Sequence, residues 1–261
     1  MKTIASLLVL LTTQAYAADV PTPKTAARGA PFVNSMGMKF VPVEITGGPT
    51  KGKRVLFSIW DTRVQEYSQY ASATGIVREK PSFEQGATHP AVMVKWGDAQ
   101  SFCAWLSNKD GAAGLLGTHD RYRLPTDHEW SCAVGIGALE HLKTTPRSKS
   151  PPSNVYPWGT AWPPPSGAGN YHPRLRVDGF ANTSPVGYFA PNQYGLYDMG
   201  GNVRQWCEDW YSSEHVSRIL RGSSWSDDVE FWLQSQFRGN EAPNAAQPTI
   251  GFRCVLFLPD D

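Results

Sequence analysis

Glycine and proline interrupt this chain too often for long helices, with 24 glycines and 21 prolines spread over 261 residues. In a helix interior a glycine costs about 1 kcal/mol relative to alanine and a proline about 3. Coiled coils and long bundles, which need Ala/Glu/Lys/Leu-rich stretches, are thereby excluded. The rings suggest what replaces them. Ten tryptophans alongside only 18% charged residues fit a compact, loop-rich fold held by aromatic packing. The length allows one large domain or two small ones.

The first seventeen residues read as a secretory signal peptide. Lys2 supplies the positive start, residues 4–11 (IASLLVLL) a short apolar run, and Ala15-Tyr16-Ala17 a small-x-small cleavage site. The run is too short to span a bilayer, and no other stretch is long and apolar enough. A secreted or periplasmic protein, cleaved after Ala17 and not membrane-spanning, is expected. Loss of Lys2 brings the 24 basic residues level with the 23 acidic ones. That balance offers no electrostatic footprint for nucleic acid or an anionic membrane. Residues 18–31, Pro- and Ala-rich without apolar periodicity, read as a flexible tether to one domain over 32–261.

Apolar periodicity predicts short elements. Residues 34–45 and 54–60 alternate as strands. Thr62 and Gln65 form a capping box for a helix whose Val64, Tyr67, Tyr70 and Ala71 share a face and which Gly75 closes. A second helix over about 98–108 turns Ala99, Phe102, Cys103 and Leu106 inward, and a third starts at Thr126 with Glu129 as its capping partner. Residues 143–169 form a Pro/Ser/Gly-rich surface loop, and 251–258 (GFRCVLFL) a terminal strand. The result is one α+β domain with much irregular structure.

Familiar catalytic constellations are missing. The six histidines show no HxH or HExxH spacing, and neither a G-x-S-x-G elbow nor a phosphate loop occurs. The four cysteines, Cys103, Cys132, Cys207 and Cys254, lack CxxC spacing. In an oxidising compartment they read as two disulfides with three possible connectivities. Oxygen-rich clusters carry more chemistry. Asn170 and Asp178 bracket a loop ending DGF, and Asp198 and Gln205 bracket MGGNVR. Calcium favours such mixed carboxylate, amide and carbonyl sets, although Asx-type turns need no ion.

Seven stretches, in order, resemble one family: NSMGMKFVPV (34–43), HPAVMVKWGDAQSFCAWLS (89–107), YRLPTDHEW (122–130), YPWG (156–159), GLYDMGGNVRQWCEDWY (195–211), RILRGSSW (218–225) and GFRCV (251–255). They identify the chain as similar to the formylglycine-generating-enzyme-like, or sulfatase-modifying-factor, family over about residues 32–257. The resemblance implies a C-type-lectin-like α+β fold. It also implies two calcium sites. The first would use the side chains of Asn170 and Asp178 with the carbonyls of Tyr171 and Phe180. The second would use Asp198, the carbonyls of Gly201 and Val203, and Gln205. The family often places an amide first and a carboxylate last in the second set, and here that order is reversed. The resemblance further pairs Cys103 with Cys254, leaving Cys132 and Cys207 for the other bridge.

One departure from the family limits the chemistry. Catalytic members bind copper through two cysteines shortly after RG.SW, and those positions fall on Asp227 and Trp232. Neither supplies the thiolate a copper(I) site needs. No copper, and no oxidation of a sulfatase cysteine to formylglycine, is expected. A branch of periplasmic maturation factors need not keep those cysteines. The leading expectation is an exported binding or accessory (maturation) module for a protein, peptide or small molecule. Its groove is drawn from 221–243, with Trp225, Asp227, Phe231, Trp232 and Arg238 as ligand-binding residues. The same aromatics serve equally well as core, with the charges as a solvated rim. Arg221 and Arg253 are expected to anchor the fold. One alternative is a periplasmic oxidoreductase or maturation enzyme using Asp227, Asp228 or Glu230 as an acid/base group or oxygen ligand. Another is a diversified lectin-fold receptor.

Overall fold

The structure is a computed structural model describing residues 20–140 and 154–260. The expected signal peptide with its cleavage after Ala17, and residues 143–153 of the expected loop, lie outside these. A five-stranded antiparallel sheet is built from β1 (Phe32–Val33), β2 (Lys39–Val43), β3 (Arg54–Ser58), β4 (Arg121–Arg123) and β9 (Val255–Leu258), in the order β1-β2-β3-β9-β4. A four-stranded sheet holds β5 (Arg204–Trp210), β6 (Arg218–Arg221), β7 (Gly239–Glu241) and β8 (Ile250–Gly251), in the order β7-β6-β5-β8. The helices are α1 (Val64–Thr74), α2 (Trp96–Ala112), α3 (Asp127–Val134) and the single-turn α4 (Glu230–Leu233).

The large sheet is buried on both faces. Successive strand side chains point to opposite sides, so Phe40, Leu56, Leu256 and Leu258 join one core with Tyr67, Tyr70, Phe102 and Leu106 of α1 and α2. Val41, Val43, Val55, Phe57, Val255 and Phe257 join a second core with Trp130 of α3. Double burial explains why 55–57 reads as an unbroken apolar run rather than an alternating one.

Local signals place most elements, and tertiary bonds adjust their ends. Residues 32–43 form a hairpin rather than one strand, because Asn34 Oδ1 accepts the N–H groups of Met36 and Met38, both at 2.9 Å. At α1 the cap lies one residue later than the sequence predicts. Thr62 N–H donates to Phe252 O and its carbonyl accepts from Ala91, so Arg63 becomes the N-cap and donates to Glu66 Oε2 at 2.7 Å. At α3 the predicted box is present, with Thr126 N–H on Glu129 Oε2 at 2.9 Å and Glu129 N–H on Thr126 Oγ1 at 3.2 Å. The closing apolar run is not one strand. Gly251 ends β8, parallel to β5, and the chain crosses through Phe252, Arg253 and Cys254 to enter β9 in the other sheet.

The expected tether also meets the domain. Ala26 is buried in the first core, and Arg54 donates to the carbonyls of Pro23 (2.9 Å) and Ala26 (2.6 Å). Among the described residues no helix is long and apolar enough to cross a membrane.

Candidate functional site

Two fully buried arginines tie the sheets to the loops, as the motifs RGSSW and GFR suggest. Arg221 on β6 reaches α3, donating to Asp127, to Ser131 Oγ at 2.9 Å and to Ser235 O at 2.8 Å. Arg253 donates to Gln205 Oε1 (2.9 Å), Ser58 O (2.8 Å) and Tyr197 O (2.6 Å). Its other neighbour is Asp61, 3.5 Å away. Burial pushes the Asp61 carboxyl well above the usual range against the pull of Arg253, and both oxygens lack hydrogen bonds among the described residues. Sequence reasoning missed Asp61, because a single acid at the foot of a helix carries no motif.

The C-terminal carboxylates do not converge. Asp227 is buried and consumed: its carboxylate pairs with Arg204 at 2.6 Å and accepts the Ser224 N–H (2.8 Å) and hydroxyl (2.9 Å). Asp228 faces Arg174 (3.4 Å) and His172 (3.7 Å) near the surface. Glu230 accepts the Tyr156 hydroxyl at 2.7 Å. Each has its own partner, so no shared point for acid/base work forms.

The expected aromatic groove divides in the same way. Phe231 and Trp232 are 56% and 40% exposed beside Val229 at 42%. The Arg204 guanidinium lies over the Trp232 ring at 5.8 Å, and Phe231 meets Phe237 edge-on at 5.4 Å. Trp225 instead turns toward the body of the domain, its indole N–H on Pro248 O at 3.1 Å and its ring against Phe83 at 5.6 Å. Arg238 is buried away from that surface, paired with Asp127 and Glu140. The large opposing charges inside outweigh any pull toward solvent.

The two oxygen-rich sets differ in what they leave free. In the first, Asn170 is fully buried and its Oδ1 has no hydrogen-bond partner among the described residues, while its amide N–H donates to Asn182 O at 2.8 Å. Asp178 accepts the N–H groups of Tyr171 (Oδ2) and Phe180 (Oδ1), both at 2.9 Å, and each carboxylate oxygen keeps a further lone pair. That donor set fits a hard cation. In the second, Gln205 Oε1 accepts from both Trp130 Nε1 (2.8 Å) and Arg253 Nε (2.9 Å), and its amide donates to Asp198 O at 2.8 Å. An amide oxygen engaged twice beside a guanidinium does not fit a cation. Burial raises the Asp198 carboxyl, and the Gly187 N–H and Arg253 oppose it.

The two expected disulfides are not formed here: all four cysteines are free and buried. Cys103 on α2 and Cys254 face each other with sulfurs 3.4 Å apart, beyond the ~2.05 Å of a bond. Cys132 points to His128 and Thr46, while Cys207 is enclosed in the second core.

A cavity of about 350 Å³ is lined by Pro157, Trp158, Gly169, Phe189 and Gly200, and by Asp198 of the second oxygen set. The Trp158 ring stacks on Tyr156 at 4.8 Å. Sequence reasoning placed half of this wall in a surface loop. The signal was the YPWG motif, whose rings have nothing to pack on unless the loop folds back.

A fold of two small sheets wrapped in loops, with buried arginines on RG.SW and GFR, defines the class. The family model for the sulfatase-modifying factor enzyme 1-like domain matches residues 22–257, and the chain belongs to that family. The inactive C-alpha-formylglycine-generating enzyme 2 of Bos taurus is 32% identical over 235 residues, 84% of this chain and 67% of that protein. The formylglycine-generating enzyme of Thermomonospora curvata is 30% identical over 232 residues, 76% of this chain and 67% of that protein. The chain thus spans about two thirds of either relative. Among solved structures, PvdO from Pseudomonas aeruginosa superposes with a TM-score of 0.60 at 25% identity, covering 85% of this chain and 94% of that one.

Proposed function

We propose that this protein is an exported binding or accessory (maturation) module on a C-type-lectin-like scaffold, without the copper chemistry of the catalytic family members. The carrying observation is the donor set. The positions assigned to the copper cysteines hold Asp227, locked to Arg204 and Ser224, and Trp232, a half-exposed ring. A carboxylate spent on an ion pair and an indole do not replace two thiolates. Likeness to an inactive enzyme in cattle supports the reading, while likeness to an active bacterial one leaves the decision with these two positions.

In place of a metal centre the surface offers Val229, Phe231 and Trp232, an apolar patch suited to an aromatic or aliphatic group of a partner. One calcium ion at Asn170 and Asp178, with the Tyr171 and Phe180 carbonyls, would brace the loop beside the cavity. A Cys103–Cys254 disulfide in the exported protein would join α2 to the start of β9. The test is incubation with copper and a Cys-x-Pro-x-Arg peptide, together with elemental analysis of the purified protein. The peptide thiol stays intact, and the protein carries calcium without stoichiometric copper or iron. Aldehyde formation on the peptide sinks the proposal.

A further inference from the structure

Helix α3 assembles chemistry outside every site described above. Cys132 lies one turn beyond His128, and its Sγ is 3.5 Å from His128 Nε2. The other ring nitrogen, Nδ1, is 3.3 Å from Glu140 Oε2. Glu140 is itself fixed by the Ser131 hydroxyl, which donates to Oε1 at 2.7 Å, and by Arg238. Thr46 Oγ1 stands 3.6 Å from the sulfur. Thiol, imidazole and carboxylate are therefore in series, with the carboxylate setting the ring so that a nitrogen meets the nucleophile.

Charges on the neighbouring elements reinforce this order. Arg221 of β6 and Arg238 bear on Glu140, while Asp127 is taken up by both arginines and Glu129 by Arg123. Burial opposes charge on both His128 and Cys132. Their mutual hydrogen bond, with Glu140 behind the ring and Thr46 at the sulfur, outweighs it. The imidazole is raised to about 9 and the thiol is lowered. Burial instead pushes the Cys103 and Cys207 thiols well up.

The roof over the pair is bare backbone. A Cβ on Gly137 would fall 2.3 Å from Cys132 Sγ, and one on Gly48 3.5 Å from the His128 ring. Cys132 keeps 3% of its surface and His128 8%, so only a reactant near the size of water reaches the sulfur.

We propose that Cys132 is an oxidation site, a nucleophilic sulfur activated by His128 and positioned through Glu140, that reacts with small hydroperoxides. The sulfur gives an electron pair to one peroxide oxygen, the S–O bond forms and the O–O bond breaks. The departing oxygen takes the proton from His128 Nε2 and, from hydrogen peroxide, leaves as water. Sulfur is oxidised by two electrons to the sulfenic acid and the peroxide is reduced by two.

The full chain is treated with hydrogen peroxide for set times, the peroxide is removed, the protein is unfolded in the presence of a 1,3-dione probe of sulfenic acid, and adducts are mapped by mass spectrometry. The expected result is one adduct, at Cys132, whose rate falls less steeply from about pH 8 to about pH 6 than that of an ordinary thiol. An ordinary thiol, with its pKa near 8.5, slows roughly tenfold per unit there. His128→Gln lowers the rate at neutral pH about tenfold or more and restores that slope. Glu140→Gln moves the slope part-way. Should either variant not fold, the pH profile of the unmodified protein decides alone. An ordinary slope, a rate that follows global unfolding in urea, or a native Cys132–Cys207 disulfide overturns the assignment.

Discussion

Arg253 shows how one side chain closes a fold of loops. Its guanidinium donates to the backbone carbonyls of Ser58 and Tyr197 and to the Gln205 amide oxygen, and stands 3.5 Å from the buried Asp61 carboxyl, from a position between the two sheets. Removing one partner of a buried pair costs far more than the pair contributes, because the survivor stays desolvated. Arg253→Ala is therefore expected to lower the unfolding free energy by about 3–5 kcal/mol in urea titrations. A loss below about 1 kcal/mol would mean that water already solvates Asp61. Asp227 shows the converse. As a bare letter in WSDDVE it is a fair candidate acid, but the fold spends it on Arg204 and Ser224.

Helix α3 is the element where local and tertiary reasoning meet. Its start is written in Thr126 and Glu129, and its left-handed Gly135 ends it. Its charge state depends on what the fold sets against it, which gives a definite pH dependence. His128 is raised from 6.5 to about 9, so its contribution is complete below pH 6.5 and is lost as pH rises through about 9. Cys132 is lowered from 9.0, so its contribution is complete above that value and is lost as pH falls. Toward pH 9 the two contributions run in opposite directions, the imidazole's falling and the thiolate's rising, so they offset each other. The urea midpoint should therefore change less between pH 6.5 and about 9 than the imidazole alone would make it change. In His128→Gln the imidazole's part of that balance is absent, and a midpoint–pH profile left unchanged by the variant would rule the pair out.

At the scale of the whole molecule, two small sheets share one polypeptide crossing at Gly251–Val255. The facing sulfurs of Cys103 and Cys254 sit at that crossing, 151 residues apart in sequence. Oxidising them closes a long loop, an effect of order 3–5 kcal/mol. Reductant should then lower the denaturation midpoint of the oxidised protein, and Cys254→Ser should abolish that sensitivity. Equal midpoints with and without reductant would show that the pair stays reduced.

The sequence by itself determined the family, the loop-rich α+β character, the inward faces of α1 and α2, and the cap of α3. Periodicity, capping and motif order are local properties, set by residues a few positions apart. Only the tertiary structure decided which polar side chains are available. Asp127 meets Arg221 across 94 residues and Arg238 across 111, and Glu140 meets Arg238 across 98. It likewise turned Arg238 inward, left Phe231 and Trp232 outside, and set Cys132 against His128 and Glu140. The reason is desolvation: a buried charge is tolerable only beside an opposite one, and which one stands beside it depends on the chain returning from far along the sequence.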